Sequence, residues 1–247
     1  MTNDVVGFAP QHRWDRNAFL ALILLGWLGV ILGFGGDMAH HFASHEAPYP
    51  LIVHIHAAAF VGWLVLFTVQ ILLIRNRSYD IHKLLGIGLA VLAVSMCILG
   101  PMAEIMVQTH IYGTPDSDPA FLAISFTEMT AFAGLVGTAL LFRGTSSAHK
   151  RLILLATLYI TSAGFARFEG GLLHPLVGGG MWGFWVSLYF GSNLVILLLG
   201  VYDLITRRRL HPAYLLGLVW VLANEGLSTW LYFQPDWLTV CKHLIGH

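Results

Sequence analysis

Seven apolar runs follow one another along this 247-residue chain, at approximately 18–36, 51–74, 84–106, 120–142, 152–173, 181–204 and 213–233, with only short polar stretches between them. Each is close to the roughly 20 residues a helix needs to cross a bilayer. In lipid every backbone N–H and C=O must find its partner within the protein, so only helices and closed barrels can span. Barrel strands alternate apolar and polar residues, whereas these runs are apolar throughout. The expected fold is therefore all-α: an integral membrane bundle of about seven transmembrane helices forming one domain over residues 1–247. Composition agrees, with 57% apolar residues and only 11% charged, against about 25% charged in soluble domains. The first run leads into Gly35-Gly-Asp-Met-Ala-His-His41 rather than a small-residue cleavage site, so it reads as a retained helix and not a signal peptide.

The basic residues orient the bundle. Arg13 and Arg16 precede the first run, and Arg75, Arg77 and Lys83 lie between the second and third. Arg143, Lys150 and Arg151 lie between the fourth and fifth, and Arg207, Arg208 and Arg209 between the sixth and seventh. The loops 37–50, 107–119 and 174–180 contain no lysine or arginine. Basic loops stay on the cytoplasmic side, which predicts a cytoplasmic N-terminus and an outer C-terminus. The charge balance of 13 basic and 13 acidic residues gives no bulk case for nucleic-acid binding. The expected partner is the lipid bilayer; the expected location, a bacterial inner membrane, is what the chain's compactness and the resemblance given below imply. Arg77-Ser-Tyr-Asp-Ile-His82-Lys83 and Thr145-Ser-Ser-Ala-His149-Lys150 each open a helix from a basic loop, and Arg207-Arg-Arg-Leu-His211-Pro does so more loosely, as three variants of one hairpin would.

Ionisable residues at membrane depth are costly and mark function by default. In the orientation above, most of them fall in the outer half: Asp37, His40 and His41 on the first helix, His54 and His56 on the second, and Glu104 on the third. Glu128 lies on the fourth, Arg167, Glu169 and His174 on the fifth, and Glu225 beside Asn224 on the seventh. Gln70 and Asp203 are the main polar groups expected in the inner half, with His82, His149 and His211 at its interface. An outward-opening chamber of histidines and carboxylates is the consequence. His56, Trp63 and Gln70 recur every seven residues and share one helical face, which is expected to point inward. His54 lies about 200° around the helix from His56, so the two do not serve one site. Trp182, Trp185, Tyr189 and Asn193 make a second aromatic and polar stripe.

Three chemistries fit these residues. The first is haem b electron transfer, in which neutral histidines on facing helices ligate the iron. His82 with His149 would serve the inner side and His56 (or His54) with His174 the outer, with a quinone or a redox subunit as partner. The second is a non-haem iron, copper or zinc site built from Asp37, His41, His54 and His56, with His40, His45, Glu104, Glu128 and His174 in reserve. No HExxH or comparable zinc signature occurs, and Cys97 and Cys241 form no CxxC pair. The third is proton or solute transport without a cofactor, through an ion-pair network of Glu128, Arg167 and Glu225. These three residues are also the catalytic candidates under a redox reading, in which Glu128 and Glu225 would handle protons and Arg167 would stabilise a propionate or another anion. No lysine lies in the seventh run to form a retinal Schiff base.

The segment His54-x-His56-x3-Phe60-x2-Trp63-x6-Gln70, continued by His82-Lys-Leu-Leu-Gly86, resembles a pattern of uncharacterised bacterial multi-spanning membrane proteins. The topology resembles, more distantly, the six-helix diheme cytochrome b family, which moves electrons across membranes. That resemblance implies haem ligation by histidines on alternate helices, matched here by His82 on the third and His149 on the fifth. The fourth helix holds no histidine to partner one on the second, so the second haem of that family has no full ligand pair.

Overall fold

The computed structural model describes residues 8–43 and 49–247. Among them nine α-helices form the bundle: α1 (Asp15–Ala43), α2 (Leu51–Arg75), α3 (Tyr79–Ile111), α4 (Leu122–Leu141), α5 (Ser146–Tyr159), α6 (Ser162–Val177), α7 (Gly180–Arg207), α8 (Pro212–Tyr232) and α9 (Pro235–Leu244). A single 3-10 turn, Pro119–Phe121, leads into α4, and no strand occurs among the described residues. The all-helical membrane expectation is thus met. Five segments are long and apolar enough to cross a bilayer: α1, α2, α3, Pro119–Leu141 and α7. The α5–α6 pair makes a sixth when counted as one bent span. The protein is a multi-pass membrane protein. On α3 the stripe Leu84, Ile87, Val91, Val94 and Ile98 is 56–72% exposed. Water would reject such a face, while acyl chains cover it without cost.

The helix ends sort into two levels, and cross-helix contacts show which belong together. At one end, hereafter the basic end, Arg75 of α2 reaches the Asn17 side chain at the start of α1, at 2.6 Å. Gln70 of α2 donates to the backbone carbonyl of His82 at the start of α3. The starts of α5 and α8 meet there through Ser147 and His211. At the opposite end, Tyr232 of α8 bonds Asp118 ahead of α4 at 2.6 Å, and Trp237 of α9 bonds the Ala120 carbonyl. The short α9 is therefore docked, with Cys241 buried against Leu122. Both cysteines are free thiols. Arg77 and Arg208, at matching places in two basic loops, both take left-handed backbone (φ 59° and 58°). That correspondence adds to the hairpin similarity seen in the sequence.

One core runs through the bundle, from Phe19 and Ile23 on α1 to Tyr214 and Val221 on α8, with α5 at its centre. Leu154, Leu155, Ala156, Leu158 and Tyr159 of α5 are wholly enclosed. The inward stripe of α2 is confirmed: Trp63 and Gln70 are buried, and the Trp63 indole donates to Thr157 of α5 at 3.2 Å. Where α1 crosses α6, a β-carbon on Gly33 would lie 2.0 Å from the Gly164 carbonyl oxygen. Only glycine allows those backbones to touch.

The fifth expected helix, 152–173, is not continuous. It breaks at Ile160–Thr161 into α5 and α6, whose axes differ by 46°. No proline or glycine sits at the break. At the break the Thr161 hydroxyl bonds the Leu158 carbonyl at 2.6 Å, a side-chain bond that competes with the helical ladder.

Candidate functional site

Four side chains reach a common depth beside this break. Glu128 measured from Leu141, Tyr159 from Ser146, Asn193 from Arg207, and Glu225 from Pro212 all lie about 20 Å along their helices from the basic end. Glu128 accepts a hydrogen bond from Ser162, the first residue of α6. Glu225 accepts from the Trp185 indole at 3.0 Å and from the Asn193 amide at 2.9 Å. Tyr189 bonds Ser228 at 2.7 Å, and because Ser228 donates to the Glu225 carbonyl, Tyr189 is the donor. The Tyr159 and Tyr189 rings stack with centroids 6.3 Å apart. Glu225 is wholly buried and Glu128 only 9% exposed, and among the described residues neither forms an ion pair.

Two buried carboxyls without a cation are unusual, because desolvating an ionised carboxylate costs several kcal/mol. Such a group either carries a proton or takes up a positive ligand. The two carboxyls also sense each other electrostatically, and both act on the tyrosines between them. Five helices (α4, α5, α6, α7 and α8) contribute to this cluster, and the discontinuity at 160–161 places Ser162 against Glu128.

The ion-pair network expected among Glu128, Arg167 and Glu225 is not formed. Arg167 instead pairs with Asp37 of α1 at 2.7 Å on a half-exposed surface and lies over the Phe34 ring. It reaches Glu128 only as a longer-range field. The sequence misassigned it because residues 162–174 were read as continuing the α5 axis, whereas the bend carries α6 against α1 and α7. Glu169, on the same half-helix, accepts the Gly191 amide of α7 at 2.6 Å.

The outer histidines are dispersed. His56 faces inward, half-buried against Phe60 with its Nδ1 unpartnered, while His54 is exposed. His174 is exposed on α6, whose main neighbours are α1 and α7, whereas α2 packs on α3 and α1. His41 stacks on Tyr49, and Asp37 is engaged by Arg167. Among the described residues no three histidine, cysteine or acidic side chains converge as a metal cage, so Asp37, His41, His54 and His56 are not brought together. His45 lies outside the described residues. Glu104 is bridged by Gln108 to the backbone of Asp118.

His82 and His149 do approach one another. They occupy the fourth residue of α3 and of α5 respectively, and are close enough to interact electrostatically. His149 Nδ1 meets the Ala139 carbonyl at 2.8 Å, and His82 Nδ1 is buried without a partner.

The basic end holds what the sequence did not foresee. Its inner half was expected to be poor in polar groups; instead it carries a dense buried ionic network. Arg151 and Asp203, both wholly enclosed, form a two-pronged pair at 2.6 and 2.5 Å. Arg207 and Lys150 converge on Asp15, which also accepts from Tyr202. The segment ahead of α1 lies across this network: the Ala9 and Pro10 carbonyls accept from Arg207 and Lys150, and the Phe8 ring covers Arg151 and Arg207. His211 caps α8 by accepting from the Ala213 amide, and burial, aided by the Arg151 charge, pushes it down to about 4. The missed signal was Asp203 itself, since a carboxylate within an apolar run requires a cation, and Arg151 had been counted only as a loop charge.

Compared with protein families, with curated proteins and with solved structures, the chain finds no match.

Proposed function

We propose that this chain is a proton-coupled membrane transporter whose coupling centre is the Glu128–Tyr159–Tyr189–Glu225 cluster. It crosses a bacterial cytoplasmic membrane seven times, with α8 as the last span and the basic end in the cytoplasm. The charge asymmetry of the loops supports that orientation. α8 falls short on apolarity because Asn224, Glu225, Ser228 and Thr229 interrupt it, and these are the residues it turns into the bundle. One observation carries the reading: two buried carboxyls without ion-pair partners among the described residues lie at one depth, and one of them, Glu128, bonds the first residue after the break in the α5–α6 span. Transporters use such broken helices to place ion sites near the bilayer midplane.

The test is solid-supported-membrane electrophysiology on proteoliposomes, applying imposed pH steps and a panel of small ionic and neutral solutes. Wild type should give pH-dependent currents, and Glu128→Gln and Glu225→Gln should abolish them. Currents unchanged in both variants, or a wild type silent to the pH steps and to the panel, would refute the proposal.

A second reading rests on the His82–His149 pair. With the Nδ1 proton of His149 given to the Ala139 carbonyl, its Nε2 lone pair is free to bind a metal. His82 stands at the matching position of α3, near enough to His149 to interact with it electrostatically, so the two imidazoles would be the residues to hold a haem b at the basic end. Such a haem would supply one-electron chemistry, drawing on a quinone or a redox subunit, while Gln70 holds the α3 start and the Glu128 cluster handles protons. A dithionite-reduced minus air-oxidised spectrum of purified protein decides it. Sharp α and β bands lost in both His82→Ala and His149→Ala would establish this reading, and a featureless spectrum from folded protein would dismiss it.

A further inference from the structure

Beside Glu225 the hydrogen-bonding ledger is lopsided. Both donors that reach this carboxylate, from Trp185 and Asn193, land on Oε2. Oε1 is buried with no partner, as are the Asn193 carbonyl Oδ1, the Thr229 hydroxyl and the Tyr159 hydroxyl. Because Glu225 is an acceptor, the Asn193 amide must present its nitrogen to it, which fixes Oδ1 as a second free acceptor. Thr229 lies one helical turn beyond Glu225 on the same face of α8, and Tyr159 is close enough for its phenol to feel the Glu225 charge. Each of these side chains is more than nine-tenths buried. Orphaned buried polar atoms are few in folded proteins, and each calls for an explanation. Here two are obligate acceptors and the other two are hydroxyls whose oxygens can accept.

An acceptor-rich, desolvated cluster with one carboxylate is a place for a cation. Oxygen ligands select hard cations, and soft or imidazole-preferring metals would find neither sulfur nor nitrogen here. One carboxylate balances one positive charge, and the second carboxyl, Glu128, is already engaged by Ser162. We propose that Glu225, Asn193, Thr229 and Tyr159 form a binding site for a dehydrated monovalent metal cation of the sodium type. That cation exchanges with a proton on Glu225. The inference rests on the coupling role given above to this cluster and names its coupling ion. The titratable groups that face the site are Glu128 from α4, Tyr159 from α5 and Tyr189 from α7, with Arg167 of α6 acting on Glu128 at longer range. Glu128 is the one that favours cation entry, because its negative charge, when present, adds to that of Glu225.

The full chain in detergent is heated in NaCl or in choline chloride at equal ionic strength, between pH 6 and pH 9. Sodium should raise the unfolding temperature saturably, since a ligand that binds only the folded state stabilises it by mass action. Its half-saturating concentration should rise about tenfold for each pH unit below the Glu225 titration, as competition with one proton requires. Glu225→Gln should abolish the sodium response, and Thr229→Val should weaken it with little effect on the baseline. Equilibrium binding of radioactive sodium to wild type supplies a readout that does not depend on any variant folding. Identical melting in both salts at every pH, or a sodium shift that survives Glu225→Gln, would overturn the site. Loss of proton-driven currents in Glu128→Gln alongside sodium-insensitive melting would leave the transport reading standing and reject only the cation. Sodium binding in a protein that carries no current would do the reverse.

Discussion

The enclosed Arg151–Asp203 pair offers the sharpest test of how this bundle is held, because its two halves are not equivalent. Asp203→Asn removes the negative charge that grips Arg151, leaving that fully buried guanidinium with neutral partners alone: the new amide oxygen, the Ser147 carbonyl at 2.7 Å and the Phe8 ring. Orphaning a buried charge in this way costs about 3–5 kcal/mol. Arg151→Met instead leaves Asp203 beside Arg207, whose Nη1 stands 3.6 Å away. The remaining charge keeps a partial partner, so the loss should fall to about 1–3 kcal/mol, the range for an incompletely satisfied buried group. Replacing both at once, as Arg151→Met with Asp203→Leu, removes the desolvated pair entirely. Such replacements are often neutral or stabilising, and the double variant should lie within about 1 kcal/mol of the parent. Reversible unfolding in mixed SDS and mild-detergent micelles, followed by circular dichroism, gives the free energies of the three variants and exposes their departure from additivity. A larger loss for Arg151→Met than for Asp203→Asn would show that Arg207 does not serve as the reserve partner. A double variant as damaged as Asp203→Asn would refute the charge-orphaning argument.

Two further outcomes follow from the packing and the cap. Gly33→Ala should destabilise the bundle by about 1–3 kcal/mol, since its new methyl would meet the Gly164 carbonyl, whereas Gly35→Ala, with nothing within 4 Å, should be neutral or mildly stabilising; equal effects in the same micelle titration would contradict the close crossing. His211 lies below its usual value of 6.5, at about 4, because burial disfavours its charged form. The unfolded chain therefore takes up this proton first, so stability is complete above pH 6.5 and is lost as pH falls from 6.5 towards 4. His211→Asn, which keeps a capping acceptor, should flatten that part of the melting-temperature profile, and an unchanged acid slope would count against a buried neutral imidazole.

The all-helical, multi-pass character was readable because it depends on a coarse quantity, apolar length, that tertiary contacts do not change. The inward stripe of His56, Trp63 and Gln70 was readable for a related reason, since helical periodicity fixes which residues share a face. Individual partners were another matter. Arg151 stands only five residues after the start of α5, and a count of basic residues cannot distinguish a loop charge from one turned into the core. Glu128 and Glu225 were recognised as costly, yet Arg167 was given to them on depth alone. A break of 46° between Tyr159 and Ser162 then moved that arginine to Asp37. Hydroxyls bond nearby carbonyls within unbroken helices here as well, four residues back at Thr68, Thr109, Thr130 and Thr138 and three back at Ser228, as Thr161 does at the break, so the sequence does not mark position 161.

That same break divides the central span into halves with different mechanical standing. α5 is locked: Arg151 ties it to α7, Thr157 to the Trp63 indole of α2, and nearly every residue from Leu152 to Tyr159 is enclosed. α6 buries only Ser162 and Gly164 and presents Phe168, Leu172 and Leu176 outward. It is held by the glycine crossing with α1, by Phe165 packed over Gly29 of α1 and Gly191 of α7, by the Glu169 bond to α7 and by the half-exposed Arg167–Asp37 pair. α6 begins at the residue that bonds Glu128. Any tilt of α6 about Thr161 therefore alters the Ser162–Glu128 bond while leaving α5, the ionic network and the Phe8 cover in place. Towards the basic end, the layer of Leu154, Leu155, Ile196, Leu199 and Val221 is fully buried and offers no polar side chain to carry charge onward. Under the transport reading proposed above, access to the carboxyl cluster would come from the α6 side, and a second path towards the basic end would require that apolar layer to part.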